Sequence, residues 1–203
     1  MTWGKRIFDV VLALVLIIPT LFILAVLVVV LLLVEGRPIF YVSKRMTTPT
    51  RSFGLIKLRT MQHDPVNSGV TGGDKNKRIS RLCRGLRKSR LDELPQLWNV
   101  LHGDMSFVGP RPPVQVYVDD FPELYAQVLL NRPGITGLAS LRFHRFEERL
   151  LVACKTREET DFVYRTRCVP RKASLDLIYQ RHRSFCFDLV LIWQTAKRLL
   201  LRG

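Results

Sequence analysis

"SRLDELPQLWNVLHGDMSFVGPRPP", residues Ser89 to Pro113, sets two adjacent acids, Asp92 and Glu93, directly before Leu94-Pro95. Their surroundings are basic. Arg87, Lys88 and Arg90 lie just upstream and Arg111 lies downstream. Leu91, Leu94, Leu97, Trp98 and Leu101 recur at three-and-four spacing, which predicts a helix over Leu91–Leu101 with one buried face. Pro95 is tolerated in its first turn. Gly103-Asp104 predicts a tight turn after that helix. "VGPRPP" predicts a rigid extended turn in which Pro110 and Pro112 fix the loop that presents Arg111.

Acids in a first helical turn often do no more than offset the helix dipole. The cations around this pair point to something further. A helix N-terminus with arginines nearby suits phosphate. Adjacent helical side chains diverge by about 100°, so Asp92 and Glu93 can take different roles. A carboxylate beside cations is expected to keep a low pKa and stay ionised. An ionised aspartate can attack phosphorus and form an acyl-phosphate. A magnesium ion, held by carboxylate and phosphate oxygens, would offset the repulsion between nucleophile and substrate.

The whole chain shares the basic character. Its 203 residues carry 32 Lys and Arg against 17 Asp and Glu, a formal charge of +15. That excess calls for an anionic partner: nucleic acid, an anionic membrane surface or a phosphorylated substrate. No nucleic-acid motif is present, and few aromatic platforms interleave with the basic residues. Cys83, Cys154, Cys168 and Cys186 are scattered without C-x-x-C spacing and read as free thiols of a reducing compartment. His63, His102, His144 and His182 show no metal-ligand spacing.

From Val10 to Val34 there is no charged residue. As one straight helix this run would be about 37 Å long, enough for a hydrocarbon core of about 30 Å. It is too long for a cleaved signal peptide, and no clear small-x-small site follows it. Pro19 inside the run removes a helical hydrogen bond and favours a kink. Lys5 and Arg6 precede the run, and Arg37, Lys44 and Arg45 follow it. Positive flanks favour the cytoplasmic side, and a spanning helix cannot place both there. The residues alone leave two readings open, a spanning anchor and a helix that enters, bends and leaves on the same side.

After Glu35-Gly36, "RPIFYVSKR" and "SFGLIKLRTM" read as two short strands, the second with Lys57 and Arg59 two apart and so on one face. Residues 64–77 read as a mobile loop. Helices are expected over Ile79–Leu86, Val114–Leu130, Lys172–Gln180 and Phe185–Leu201. Trp193, Leu199 and Leu200 with Lys197, Arg198 and Arg202 suit a helix on a membrane surface, or one packed on the body. The basic run Arg165–Lys172, with Arg181 and Arg183, reads either as a contact for anionic headgroups or as a solvated face.

"LDELPQLWNVLHGDMSFVGPRP" resembles the signature of the bacterial sugar transferases known as monotopic phosphoglycosyl transferases. "KRIFDVVLAL" resembles the family's opening, with Lys5-Arg6 and Phe8-Asp9 before the membrane helix. "GRPIFYVSKR" and "FGLIKLRTM" resemble its basic strands, "DKNKRISRLCRGLRKSRLDELPQ" its approach to the acid pair, and "RPGITGLASL" its Pro-Gly-x-Thr-Gly turn. "LDLIYQRHRSFCFDLVLIWQTAKRLL" resembles its closing helices through Asp176, Tyr179, Asp188 and Thr195. The chain departs from the family's usual residues at Ile18-Pro19, at Met46-Thr47, at Pro49-Thr50 and at Cys83. Arg142–Pro170, with Glu147, Glu148, Glu158 and Glu159 read as exposed helix faces, does not resemble the family's Gln-Val-x-Gly-Arg segment.

The resemblance implies an α+β, mostly helical fold: a re-entrant, Pro19-kinked membrane helix over residues 1–35 and a small cytoplasmic catalytic domain over residues 36–203 with interfacial amphipathic helices. It implies transfer of a sugar-1-phosphate from a UDP-sugar to polyprenol (undecaprenyl) phosphate, with release of UMP, at the cytoplasmic face of the bacterial inner membrane. By the same resemblance Asp92 is the nucleophile and magnesium (Mg2+) ligand, and Glu93 is the partner acid that assists the incoming polyprenol phosphate. Arg87 and Arg111 hold the nucleotide-sugar phosphates, and Lys57 and Arg59 face the site from the basic strand. Asp104 is a candidate second magnesium ligand, against a plain turn residue. The partners implied are the UDP-sugar, the polyprenol phosphate and inner-membrane lipid, with no nucleic acid; a homodimer is left open. The alternative is a non-catalytic basic membrane scaffold that binds anionic lipid or a partner protein.

Overall fold

The first helix, α1, covers Trp3–Val34 and runs unbroken through Pro19 in a computed structural model that describes residues 2–61 and 78–201. The expected loop over 64–77 and His63 lie outside the described residues. Thr2 caps α1 through its Oγ1, which accepts from the Lys5 amide at 3.4 Å. Gly36, at φ +70°, turns the chain out of the helix in the left-handed region open to glycine.

Both ends of α1 are fastened to the rest of the protein. At its start, the Arg6 guanidinium donates to the Val100 and Leu101 carbonyls at 2.6 and 2.7 Å. Lys5 Nζ meets Asp188 at 2.5 Å, and Asp9 accepts from the Phe107 amide at 3.2 Å. At its end, Leu31 packs with Leu58, Cys83 and Leu86, burial that stabilises by about 2 kcal/mol for a fully covered leucine. The middle is bare, with Ile18, Leu21, Phe22 and Val26 all exposed.

Beyond α1, β1 (Phe40–Met46) and β2 (Ser52–Leu58) form an antiparallel ribbon in which Arg45 faces Phe53 and Tyr41 faces Lys57. Directly opposed residues share a face, and the side-chain period is two. Phe53, Leu55 and Lys57 therefore line one side with Arg45, Ser43 and Tyr41. That side is the body side, since Phe53 and Leu55 are buried. The far edge of β2 is met by the Asn99 side chain, which accepts from the Ile56 amide at 3.1 Å and donates to the Gly54 carbonyl at 2.8 Å.

Next come α2 (Arg81–Lys88), a 3₁₀ turn (Leu91–Glu93) and α3 (Gln96–His102). The single helix expected over Leu91–Leu101 is thus two pieces. Pro95 has no N–H to continue the hydrogen-bond ladder, so the chain restarts its helix at Gln96. The helix expected over Val114–Leu130 is likewise divided, into α4 (Gln115–Asp120) and α5 (Pro122–Val128), where Pro122 forces Phe121 out of helical geometry.

A short parallel pair, β3 (Ser106–Val108) and β4 (Gly134–Thr136), joins the two halves of the body. The backbones approach so closely at this pair that a Cβ on Gly134 would stand 2.2 Å from the Gly109 nitrogen. The divergent segment folds as α6 (Leu138–Val152) and α7 (Arg157–Val163). Thr156 and Glu159 cap α7 reciprocally: the threonine hydroxyl accepts from the Glu159 amide, and the glutamate accepts from the Lys155 amide. A single π turn (Tyr164–Cys168) leads into α8 (Val169–His182), followed by α9 (Phe185–Leu200). The fold is mostly helical α+β with one long apolar N-terminal helix, as expected, and the β3–β4 pair adds a second small sheet where turns were expected.

Candidate active site

Asp92 and Glu93 sit in the 3₁₀ turn, not in a helix N-terminus. Arg90 enters that turn at φ 56°, an uncommon conformation for a residue with a side chain. At three residues per turn, neighbouring side chains diverge by about 120°, and the two acids meet different surroundings.

Glu93 is gripped from two sides. Arg90 Nη1 reaches Oε2 at 3.0 Å and Arg111 Nη2 reaches Oε1 at 2.9 Å. Burial pushes the Glu93 carboxyl up, but Arg111 and Arg90 together outweigh it and draw it down to about 2. Asp92 behaves in the opposite way. It is buried, and burial first and Glu93 second raise it to about 6, against the pull of Arg87, Lys57 and Arg111. The low pKa expected from its basic neighbours is corrected here. Those cations act, but desolvation and the adjoining acid are stronger. Near pH 7 Asp92 is still mostly ionised.

Lys57 projects from the body side of β2 with its ammonium 5.5 Å from the Tyr41 ring centre. Burial, then Arg45, Arg111 and Arg87, depress it to about 8. Arg87, Lys57 and Arg111 thus all act on Asp92, and Arg111 also on Glu93. Arg59 is engaged elsewhere. Its guanidinium donates to the Glu35 and Gly36 carbonyls at 3.0 Å each, closing the end of α1. Asp104 lies beside Arg132 at the turn after α3.

Two residues of the cleft escaped sequence reasoning. Arg45, Lys57, Glu93, Gln96, Arg111 and Pro112 line it together. Arg45 becomes legible only through the β1–β2 register, which puts it on the face of Lys57. Gln96 is a buried polar residue in the first turn of α3, whereas Trp98, expected on the buried face, is exposed. The basic run also differs from expectation. Arg165 pairs with Asp120 and Asp161, Lys172 with Glu147 and Arg183 with Asn131, whereas Arg181 stays exposed. Glu147, expected on an exposed face, is half-buried in that pairing.

The model of the bacterial sugar transferase family matches residues 1–202. The chain belongs to this family. Among its curated relatives, the UDP-glucose:undecaprenyl-phosphate glucose-1-phosphate transferase of Xanthomonas campestris pv. campestris is 35% identical over 168 residues, covering 80% of this chain and 32% of the relative. The UDP-N-acetylgalactosamine-undecaprenyl-phosphate N-acetylgalactosaminephosphotransferase of Aeromonas hydrophila is 37% identical over 167 residues, covering 80% of this chain and 36% of the relative. The uncharacterized sugar transferase EpsL of Bacillus subtilis is 32% identical over 197 residues, covering 97% of this chain and 87% of the relative. This family member therefore spans about a third of the length of the first two and most of the third.

The family implies magnesium. Among the described residues no three His, Cys, Asp or Glu side chains gather into a metal-binding group. Asp92 is a lone carboxylate that no hydrogen bond or ion pair ties down among the described residues. That donor set suits Mg2+, which is bound through one or two carboxylates, waters and substrate phosphates and not in an all-protein cage.

Proposed function

We propose that this protein transfers a sugar-1-phosphate from a UDP-sugar to undecaprenyl phosphate at a membrane surface. The observation that carries the reading is the arrangement of charge at the cleft: an untethered, buried Asp92 within reach of Lys57, Arg87 and Arg111, with Glu93 already paired. An Asp92 carboxylate oxygen attacks the sugar-bearing phosphorus, the bond from that phosphorus to the bridging oxygen breaks, and UMP leaves with the bond's electrons. An oxygen of the polyprenol phosphate then attacks the same phosphorus and Asp92 departs as carboxylate. Lys57, Arg87 and Arg111 hold the phosphates in line, while Glu93 orients Arg90 and Arg111 and meets the incoming acceptor. Mg2+ bound at Asp92 would offset the charge between carboxylate and donor phosphate. One phosphoanhydride replaces another, so positioning and charge neutralisation carry most of the rate.

The membrane placement rests on α1. It has the length and hydropathy to cross a bilayer. Lys5 and Asp9 at its start and Leu31 at its end all pack on the same body. A helix that crossed a core of about 30 Å would leave its ends on opposite faces of the membrane, where a body on one face could hold only one of them. We therefore favour a re-entrant α1 and a catalytic domain, residues 36–203, on the cytoplasmic face of the inner membrane. Exposed Phe185, Leu189, Val190 and Trp193 on α9 extend the apolar surface next to α1, where Phe8 and Phe185 meet edge to face at 5.0 Å.

The test is UMP release from nanodisc-embedded protein with Mg2+, undecaprenyl phosphate and a panel of UDP-sugars. Release with one sugar, absent in Asp92→Asn, is expected. Release at the wild-type rate by that variant would contradict the mechanism, and folded protein silent across the panel would favour the scaffold.

A further inference from the structure

The cleft holds a cation, Arg45, to which the basic-strand motif that contains it assigned no role. Arg45 lies on the body side of β1, on the same face as Lys57. The amide of the next residue, Met46, donates to the Pro113 carbonyl at 3.0 Å, fastening the end of β1 to the turn that carries Arg111. Arg45 itself uses two of its five donors there, Nε to the Ser43 hydroxyl at 3.1 Å and Nη1 to the Pro112 carbonyl at 3.4 Å. Among the described residues no carboxylate pairs with it. The acid that lines the cleft with it, Glu93, is already taken by Arg90 and Arg111.

Holding an unpaired guanidinium among other cations is costly. Burial first and Arg111 second pull the proton affinity of Arg45 down, and Arg45 in turn depresses Lys57. The strain is relieved if an anion with several acceptor oxygens enters between the three cations. A phosphate fits that description, and a guanidinium can meet two of its oxygens at once.

We propose that Arg45 is a phosphate-binding residue of this cleft, completing with Lys57 and Arg111 a three-cation cradle. The inference rests on the transferase reading and adds a residue to it. The phosphate has two possible sources, the diphosphate of the donor and the monoester of the acceptor. The competing explanation is a purely structural one, in which Arg45 only fastens β1 to the Pro112 carbonyl.

Arg45→Gln separates these. Glutamine keeps a donor for Pro112 and loses the charge. The measurements are calorimetric UDP binding and KM for each substrate in nanodiscs, with ligand-free Tm alongside. The expected result is an unchanged ligand-free Tm with about a tenfold loss of UDP affinity and the same rise in donor KM. A tenfold rise confined to the polyprenol phosphate KM would also support the residue and assign it to the acceptor. Arg45→Lys, which keeps charge without the paired donors, is expected to fall between wild type and Arg45→Gln, and it stands in if the glutamine variant does not fold. A variant that binds UDP and both substrates as wild type does, whatever its Tm, overturns the inference and leaves the transferase reading standing. Wild-type protein that neither binds UDP nor releases UMP takes both down.

Discussion

Two polar clusters lie side by side in this protein and carry opposite balances of charge. In and around the cleft, Arg45, Lys57, Arg87, Arg90 and Arg111 are set against Asp92 and Glu93. Between α6, α8 and the π turn, the balance reverses. Lys172 donates to Glu147 at 2.8 Å and to the Tyr164 hydroxyl at 3.3 Å, Asp176 is buried one turn along α8, and Arg165 answers both Asp120 and Asp161. The second cluster matches Lys172 and Arg165 with acids, and its buried Asp176 Oδ1 meets no donor among the described residues. The first leaves positive charge unanswered and keeps 42% of the Arg111 side chain accessible. Surplus charge facing solvent marks a place for a ligand, and matched charge between helices marks a joint. The clusters are neighbours, since Glu147 acts on Arg111, yet their residues should respond differently to substitution.

The largest effect is expected at Asp92. Asp92→Asn should lower UMP release by at least about a thousandfold, because it removes the nucleophile proposed above while its isostere leaves the packing intact. Glu93→Gln comes next. It loosens Arg111 and Arg90 from a fixed carboxylate, and a charge-assisted bond of about 1.4 kcal/mol corresponds to about a tenfold rise in donor KM.

The joint should behave in the reverse manner. Lys172→Met leaves Glu147 half-buried without its cation and should cost about 2 kcal/mol, read as a Tm lower by about 6 °C, with donor KM within about twofold of wild type. A KM shift as large as that of Glu93→Gln would erase the distinction between the clusters. Asp176 sharpens it. Burial raises its carboxyl to about 7, against the pull of Lys172. The folded state therefore holds this proton more tightly than the unfolded chain. The stability this contributes is complete below about pH 4 and is lost as pH rises to about 7. Asp176→Asn does not titrate, so relative to wild type it should be about 3 kcal/mol more stable at pH 8 than at pH 4.5, as denaturant titrations at the two pH values would show.

The smallest effect is on the shape of the pH profile. Turnover should rise as Asp92 ionises near pH 6 and fall as Lys57 loses its proton near pH 8. Arg87 lowers Asp92, so Arg87→Ala should move the acid limb upward by about half a unit. An acid limb that stays in place would remove Arg87 from the surroundings of Asp92.

Much of this arrangement could be read from residues. The charge-free run of α1, the basic flanks of the acid pair and the Pro-rich turn of Arg111 are local signals. Others depend on distance along the chain. Arg59 shares strand parity with Lys57, but its guanidinium goes to the end of α1, an allocation that needs the packing of residue 31 against residue 58. Arg45 needed the ribbon's register. The pKa of Asp92 needed its burial, which the surrounding arginines concealed: in sequence they suggest an ionised acid, and in the fold they only partly offset desolvation. The divergent segment hid Glu147 for the same reason, because its partner Lys172 lies on another helix.

The central claim is that Asp92 carries the phosphosugar between donor and acceptor. Intact-mass measurement of the protein incubated with Mg2+ and its UDP-sugar, without polyprenol phosphate, tests this most directly. The account predicts a mass increase of one sugar-phosphate that appears in wild type, is absent from Asp92→Asn and disappears when undecaprenyl phosphate is added. Sustained turnover with no adduct at any time after mixing would contradict it and point to direct transfer between the two substrates.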